Sequence, residues 1–169
     1  MELVKELIKK PESKSIIRFQ DCDPYGHLNN ARYLDYFVNA REDHLLKYYD
    51  LDLFKMSKEQ GIGFVVRQNQ ISYFRPANLM EEVVIQSALI AFNESTVKIE
   101  MQMFNKNKSE FKAVLWADYV AMDLRSGKRT VFPDDMYNLL EMVKIEDANG
   151  SSDSFESRVY QIAKALKKG

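Results

Sequence analysis

The chain has one cysteine, two histidines, four prolines and six glycines in 169 residues. A lone cysteine, Cys22, excludes an intramolecular disulfide and any multi-cysteine metal site. That composition fits a reducing compartment, and the chain reads as cytoplasmic. An excess of either charge is missing too: 24 Lys and Arg stand against 25 Asp and Glu, a net charge of −1. There is no global basic field to hold nucleic acid, so contact with an anionic ligand falls to local groups. No apolar run approaches the ~20 residues of a membrane-spanning helix. The first ten residues scatter charges through their apolar positions, so neither a signal peptide nor a membrane span is expected. The Gly-x-Ser-x-Gly of a serine hydrolase is also absent.

The chain is 46% hydrophobic and 12% aromatic, enough for one domain around one packed core. Leu3, Val4, Leu7 and Ile8 have helical spacing up to Pro11. Ser15–Asp21 reads as a strand. From about Asn30 to Tyr49 a wide apolar stripe (Tyr33, Leu34, Phe37, Val38, Ala40, Leu45) predicts a long helix buried on more than one side, with Asn29 or Asn30 as its cap. Strands follow over Ile62–Phe74, Val83–Phe92, Thr96–Phe104 and Phe111–Leu124, with a short one ending at Phe132. In the third strand Val97, Ile99, Met101 and Met103 alternate with Lys98, Glu100 and Gln102, the pattern of a half-buried antiparallel strand. The fourth is apolar on both faces in its middle. Pro133-Asp134-Asp135 opens a further helix, and a polar linker, Asp147–Ser154, leads to an amphipathic tail. The order implies an α+β fold in which a curved antiparallel sheet wraps one central helix. Such a sheet leaves an edge strand open to pairing with a second copy.

Apolar spacing does not account for Asp21-Cys22-Asp23-Pro24-Tyr25-Gly26-His27-Leu28-Asn29-Asn30-Ala31-Arg32-Tyr33. Pro24 biases Asp23 to an extended conformation, and Gly26 permits the tight turn back into the helix. The run thus sets a carboxylate just ahead of a helix start whose first N–H groups carry partial positive charge. Such N–H groups can polarise a carbonyl, and such a carboxylate can attack it or activate water, which suits acyl transfer to water. Asp23 also fits an Asx turn, and His27 is either an acid/base group or a turn residue. Asp21 reads as a turn cap and Cys22 as a small strand-end residue. Asn29 and Asn30 read as capping residues, a role compatible with presenting N–H groups to a carbonyl. Cys22, Asp23 and His27 match no common zinc spacing, and the second histidine, His44, lies well down the helix; no metal or cofactor is expected. Arg67-Gln68-Asn69-Gln70 interrupts a strand, and the alternation of side chains predicts that one or two of these face the core, a dimer seam or a pocket.

The run resembles the motif of the hotdog-fold thioesterases, in the 4-hydroxybenzoyl-CoA thioesterase-like branch. Ile71-Ser72-Tyr73 leading into Arg75-Pro76-Ala77 is similar to the family's strand after the helix. The resemblance covers about residues 15–143 and implies hydrolysis of an acyl-CoA, or an acyl carrier protein thioester, by a homodimer or homotetramer with sites at the dimer interface. It implies Asp23 as the catalytic carboxylate and the Asn30 N–H as the carbonyl-polarising group, with Gly26 and Asn29 beside the substrate. His27 lies where relatives carry a polar residue. Arg75, Lys128 and Arg129 are candidate CoA phosphate contacts by charge alone. Three parts are expected: an N-terminal extension (1–14), the hotdog domain (15–143), and a linker with an amphipathic helix (144–169). Two competing functions share this fold, non-catalytic acyl-CoA binding and dehydration of a hydroxyacyl thioester. The latter needs a positioned imidazole, so it would depend on His27 more than on Asp23.

Overall fold

The computed structural model describes residues 7–146 and 154–169. Its elements run β1 (Glu12–Ile16), α1 (Tyr33–Tyr49), α2 (Leu53–Gln60), β2 (Ile62–Tyr73), β3 (Glu82–Phe92), β4 (Thr96–Asn105), β5 (Phe111–Asp123), β6 (Lys128–Arg129), α3 (Asp134–Val143) and α4 (Phe155–Leu166). The strands form one antiparallel six-stranded sheet in the order β1-β3-β4-β5-β2, with β6 hairpinned onto β5. The sheet wraps around α1 as a hotdog fold. The helix expected over residues 3–8 lies largely outside the described residues, as does nearly all of the linker 147–154.

Alternation of side chains explains most of the sheet. Val97, Ile99, Met101 and Met103 of β4 pair with Val120-side neighbours on β5 such as Ala117, Leu115 and Ala113, and all join the core beneath α1. From the helix, Tyr33, Phe37, Ala40 and Leu45 close that core. Val38 and Leu46 stay exposed, so in the single chain the stripe is buried along one side rather than several.

The opposite face of the sheet differs from its expected solvent exposure. Helix α4, capped by the Ser154 hydroxyl accepting the Ser157 N–H, lies on it and buries Phe155 and Ile162 against Phe111, Val114 and Trp116. This explains why the middle of β5 is apolar on both faces. It also buries Glu100, which the alternation of β4 had assigned to solvent.

Three boundaries move. The first strand is Glu12–Ile16 rather than Ser15–Asp21, because backbone pairing with β3 ends at Ile16↔Glu82 and residues Phe19–Asp21 form a 3-10 turn. A 3-10 turn, Asn30–Arg32, precedes α1 proper. The stretch between α1 and β2, to which apolar spacing assigns no element, holds α2; it starts at Asp52, whose side chain accepts the Lys55 N–H, and stops at Gly61 in a left-handed conformation (φ 67°). Eight residues with one buried side chain, Met56, give too few apolar repeats to announce a helix.

In the single chain residues 67–69 are exposed and Gln70 is half-buried, so of the expected settings the core does not hold for residues 67–69. β2 lies at the sheet edge, and its register against β5 shifts between Val66 and Gln68, leaving Arg67 as an inserted residue. Such a bulge breaks strict alternation. Arg67 reaches sideways to Asp118 at 3.2 Å.

Candidate active site

The loop before α1 is built from its own backbone. The Asp23 N–H donates to the His27 carbonyl at 2.8 Å and the Gly26 N–H to the Asp23 carbonyl at 3.0 Å. Gly26 adopts φ 75°, and a Cβ there would meet nothing within 4 Å, so its requirement is conformational rather than steric. The half-buried Asp23 carboxylate accepts the Tyr25 N–H (2.9 Å) and the His27 N–H (3.1 Å), both at Oδ1. Its Oδ2 accepts from no group among the described residues. The turn therefore fixes one carboxylate oxygen and leaves the other available.

Asn29 supplies the cap: its Oδ1 accepts the Ala31 N–H at 3.0 Å, and its own N–H donates to the Asp21 carbonyl at 2.9 Å. The next donor, the Asn30 N–H, finds no acceptor among the described residues. Its carbonyl is held by the Tyr73 hydroxyl at 2.9 Å, so the last residue of β2 steadies the helix start. Asp21 accepts from the Tyr36 hydroxyl at 2.7 Å, which in turn accepts the Arg18 N–H at 3.0 Å. Burial first, then the Asp23 and Asp21 carboxylates, push the Cys22 thiol above its usual range, which disfavours a thiolate nucleophile. The His27 ring makes no hydrogen bond among the described residues, while its backbone carries the turn.

A second loop, residues 74–81, backs the first. The Leu28 N–H donates to the Ala77 carbonyl and the Leu79 N–H to the Gly26 carbonyl, each at 2.8 Å. The buried Tyr33 hydroxyl accepts the Ala77 N–H at 3.2 Å. Lys112, with only 1% of its residue surface exposed, ties the loop from below: Nζ donates to the Pro76 carbonyl at 2.9 Å and pairs with Glu81 at 3.0 Å and with Glu110. Burial alone would lower the Lys112 pKa, but Glu110 and Glu81 together raise it and keep the ammonium charged. Sequence reading missed Lys112; its signal was a lone lysine inside an apolar strand.

The structure thus brings Asp23, Gly26, His27, Asn29 and Asn30 together, with exposed Arg75 two residues beyond Tyr73 on the backing loop. It does not bring Lys128 and Arg129 there. They lie where β5 turns beside Ile62, the far end of β2 from Tyr73, about 35 Å away at ~3.3 Å per residue. Instead Lys14, Arg18 and Arg32 border an open polar groove of about 810 Å³ beside Asp21 and Tyr36. Among the described residues no three His, Cys, Asp or Glu side chains gather as a metal site, and no helix is long and apolar enough to cross a membrane.

Residues 17–140 match the sequence profile of the Thioesterase-like superfamily. The chain is 31% identical over 129 residues to the long-chain acyl-CoA thioesterase FadM of Escherichia coli, across 76% of this chain and 96% of that relative. It is 24% identical over 120 residues to the acyl-CoA thioesterase YbgC of Haemophilus influenzae, across 71% and 86% of the two chains. The crystal structure of YbaW, a probable thioesterase from Escherichia coli, superposes with a TM-score of 0.67 and 29% identity, covering 79% of this chain and 98% of that one. A 1,4-dihydroxy-2-naphthoyl-CoA thioesterase from Synechocystis shares the fold at a TM-score of 0.71 and 13% identity, covering 84% and 99%. With a matched segment running from the end of β1 into α3, the chain belongs to the Thioesterase-like superfamily.

Proposed function

We propose that this protein hydrolyses an acyl-CoA thioester to the free acid and the coenzyme A thiol, with Asp23 and the Asn30 N–H as the working pair. The observation that carries the reading is their joint state: a carboxylate pinned at one oxygen, in the loop ahead of a helix-start N–H with no acceptor among the described residues. The thioester carbonyl oxygen would accept from the Asn30 N–H, which strengthens as negative charge develops there. Asp23 Oδ2 would either take a proton from water as that water adds to the carbonyl carbon, or add itself to form a mixed anhydride that water then opens. In both routes the C–S bond breaks and the departing thiolate takes up a proton. Gly26 and Asn29 would lie beside the substrate, and Arg75 would meet a CoA phosphate. An acyl carrier protein thioester offers the same reacting group.

The active assembly is a homodimer, or a homotetramer built from it. β2 is a twelve-residue edge strand with Val65 and Val66 exposed, well suited to pair antiparallel with its copy. Such pairing would bring the Lys128–Arg129 hairpin of a second copy to the Tyr73 end of β2, supplying cations that one chain alone holds too far off. The catalytic body takes residues 15–143, with 144–169 appended and a cytoplasmic setting suiting the single cysteine.

A panel of acyl-CoAs of different length and aromaticity, read with a thiol reagent, tests the activity; thermal shift without thiol release would mean a binding protein instead. Single-turnover hydrolysis in oxygen-18 water separates the two routes, since label in the Asp23 carboxylate appears only through the anhydride. If His27→Ala abolishes turnover while Asp23→Asn retains it, dehydratase-type chemistry replaces this reading.

A further inference from the structure

On the concave side of the sheet, between α1, α3 and strands β2, β4 and β5, lies a cavity of about 310 Å³, at the small end of the range for ligand pockets. Leu45, Phe64, Ile99, Met136, Leu140 and Val143 give it apolar walls. Arg41 also lines it, although only 9% of its surface is exposed. A guanidinium taken that far out of water is expected to have a carboxylate partner. Arg41 has none among the described residues; Nη1 donates to the Ser87 hydroxyl at 2.9 Å, and Tyr49 and Tyr119 are its other polar neighbours. Burial raises both phenols above their usual range, so they stay neutral beside it.

The groups behind Arg41 do not offset its charge either. Arg41 can only donate, so Ser87 Oγ accepts there, and the same hydroxyl is hydrogen-bonded to His44 Nδ1 at 2.8 Å. His44 Nε2 is hydrogen-bonded to the Ser13 hydroxyl at 2.9 Å. This chain is neutral and fixes the orientation of the guanidinium fork. Glu42 lies at the mouth of the cavity, exposed, and forms no ion pair with Arg41. Arg41 is also hydrogen-bonded to Tyr49, and with these neutral partners its charge borders the cavity.

The cavity also has a direction. Leu34, Val38, Arg41 and Leu45 follow one ridge of α1 at three- and four-residue steps, and that ridge is headed by Asn30. From Asn30 to Arg41 the helix advances about 16 Å. An extended chain covers that in roughly thirteen bonds, at about 1.2 Å per bond.

We infer that the cavity receives the far end of the acyl chain and that Arg41 binds a carboxylate carried there, so that the preferred substrate is the thioester of a medium-length dicarboxylic acid. This rests on the thioesterase reading above. The same chemistry, a carboxylate on an aliphatic chain, is also found in a free fatty acid. The ridge running from the Asn30 N–H into the cavity favours the acyl group as its source.

The test compares dodecanoyl-CoA with 11-carboxyundecanoyl-CoA, equal in length and different at the far end. The unmodified protein should favour the carboxylated substrate in kcat/KM by at least about tenfold, the scale of a charged hydrogen bond. Arg41→Met should reverse that ratio, chiefly through KM, and Arg41→Lys should keep part of it; the ratio is read within each variant, so a general loss of activity does not obscure it. Equal kcat/KM for both substrates, or a ratio unmoved in Arg41→Met, overturns the assignment. Arg41-dependent binding of dodecanoic acid by calorimetry, without a substrate preference, would also overturn it by placing a free acid there. If neither thioester is cleaved, the thioesterase reading fails by itself. Calorimetry with monomethyl dodecanedioate and methyl dodecanoate then decides the cavity: it stands if only the carboxylate binds and Arg41→Met abolishes that binding, and falls otherwise.

Discussion

Two arginines sit against opposite faces of the same sheet, and they are treated in opposite ways. On the outer face Arg158 of α4 grips Glu100 with two hydrogen bonds, each of 2.7 Å, while Trp116 Nε1 donates to the same carboxylate at 2.8 Å. Burial by itself would raise the Glu100 pKa, but Arg158, Trp116 and Gln102 outweigh it and hold the carboxyl below its usual range. On the inner face Arg41 has only neutral partners, Ser87 and Tyr49, and a cavity. The outer pair is matched and covered by Phe155 and Ile162, so its role ends with holding α4 in place. The inner charge has no carboxylate partner among the described residues and borders a cavity, which suits a complement carried by a ligand. Buried charge reads as stability where its partner is internal, and as recognition where it is not.

That contrast predicts a separation of activity from stability. Asp23→Asn, at the end of the inner-face helix, should lower kcat/KM by about 100- to 10,000-fold with an unchanged melting temperature; retained turnover would remove Asp23 from the mechanism. Glu100→Ala should do the reverse. It strands Arg158 under α4 and costs about 3 kcal/mol in urea unfolding, with activity per folded molecule kept. Parallel losses in both variants would erase the distinction between the faces.

Acid should weaken both faces, through different groups. The folded pKa of Glu100 is depressed, so its stabilisation is complete above the ordinary carboxylate value and is lost as pH falls through the lowered one. His44 is held at about 4 by burial first and Arg41 second, against 6.5 in the unfolded chain. Between those values the unfolded chain binds a proton that the folded one refuses, so stability drops as pH falls from 6.5 to about 4 and this contribution is flat below. Urea midpoints of His44→Gln should lose that slope and retain the more acidic one from Glu100. The smallest change is Tyr73→Phe, which frees the Asn30 carbonyl. It should cost about 1 kcal/mol and a few-fold in kcat, measured by unfolding and steady-state assay.

The loop around Asp23 was legible because its chemistry is short-range. Pro24, Gly26 and the Asn29 cap act within a few positions; β4 announced itself by alternation, and β3 and β5 by apolar runs bounded by polar turns. The side on which each of Arg67–Gln70 lies was not legible, because a bulge at a sheet edge changes the parity of every residue after it and no local pattern reveals it. Glu100 misled for a different reason: its alternation was read correctly, but the face it points to is covered by α4. Lys128 and Arg129 were grouped with the site by charge, and only strand register sends them to the other end of β2.

By itself the sequence determined the turn, the cap and the carboxylate ahead of a helix start, since bonds spanning two to four residues need no folded context to be specified. The tertiary structure decided which buried charges are paired. Glu100 meets Arg158 across 58 positions, and Arg41 meets Ser87 across 46. Contacts at that separation exist only after the sheet has curled around α1, because they depend on which faces the packing brings together rather than on any neighbouring residue.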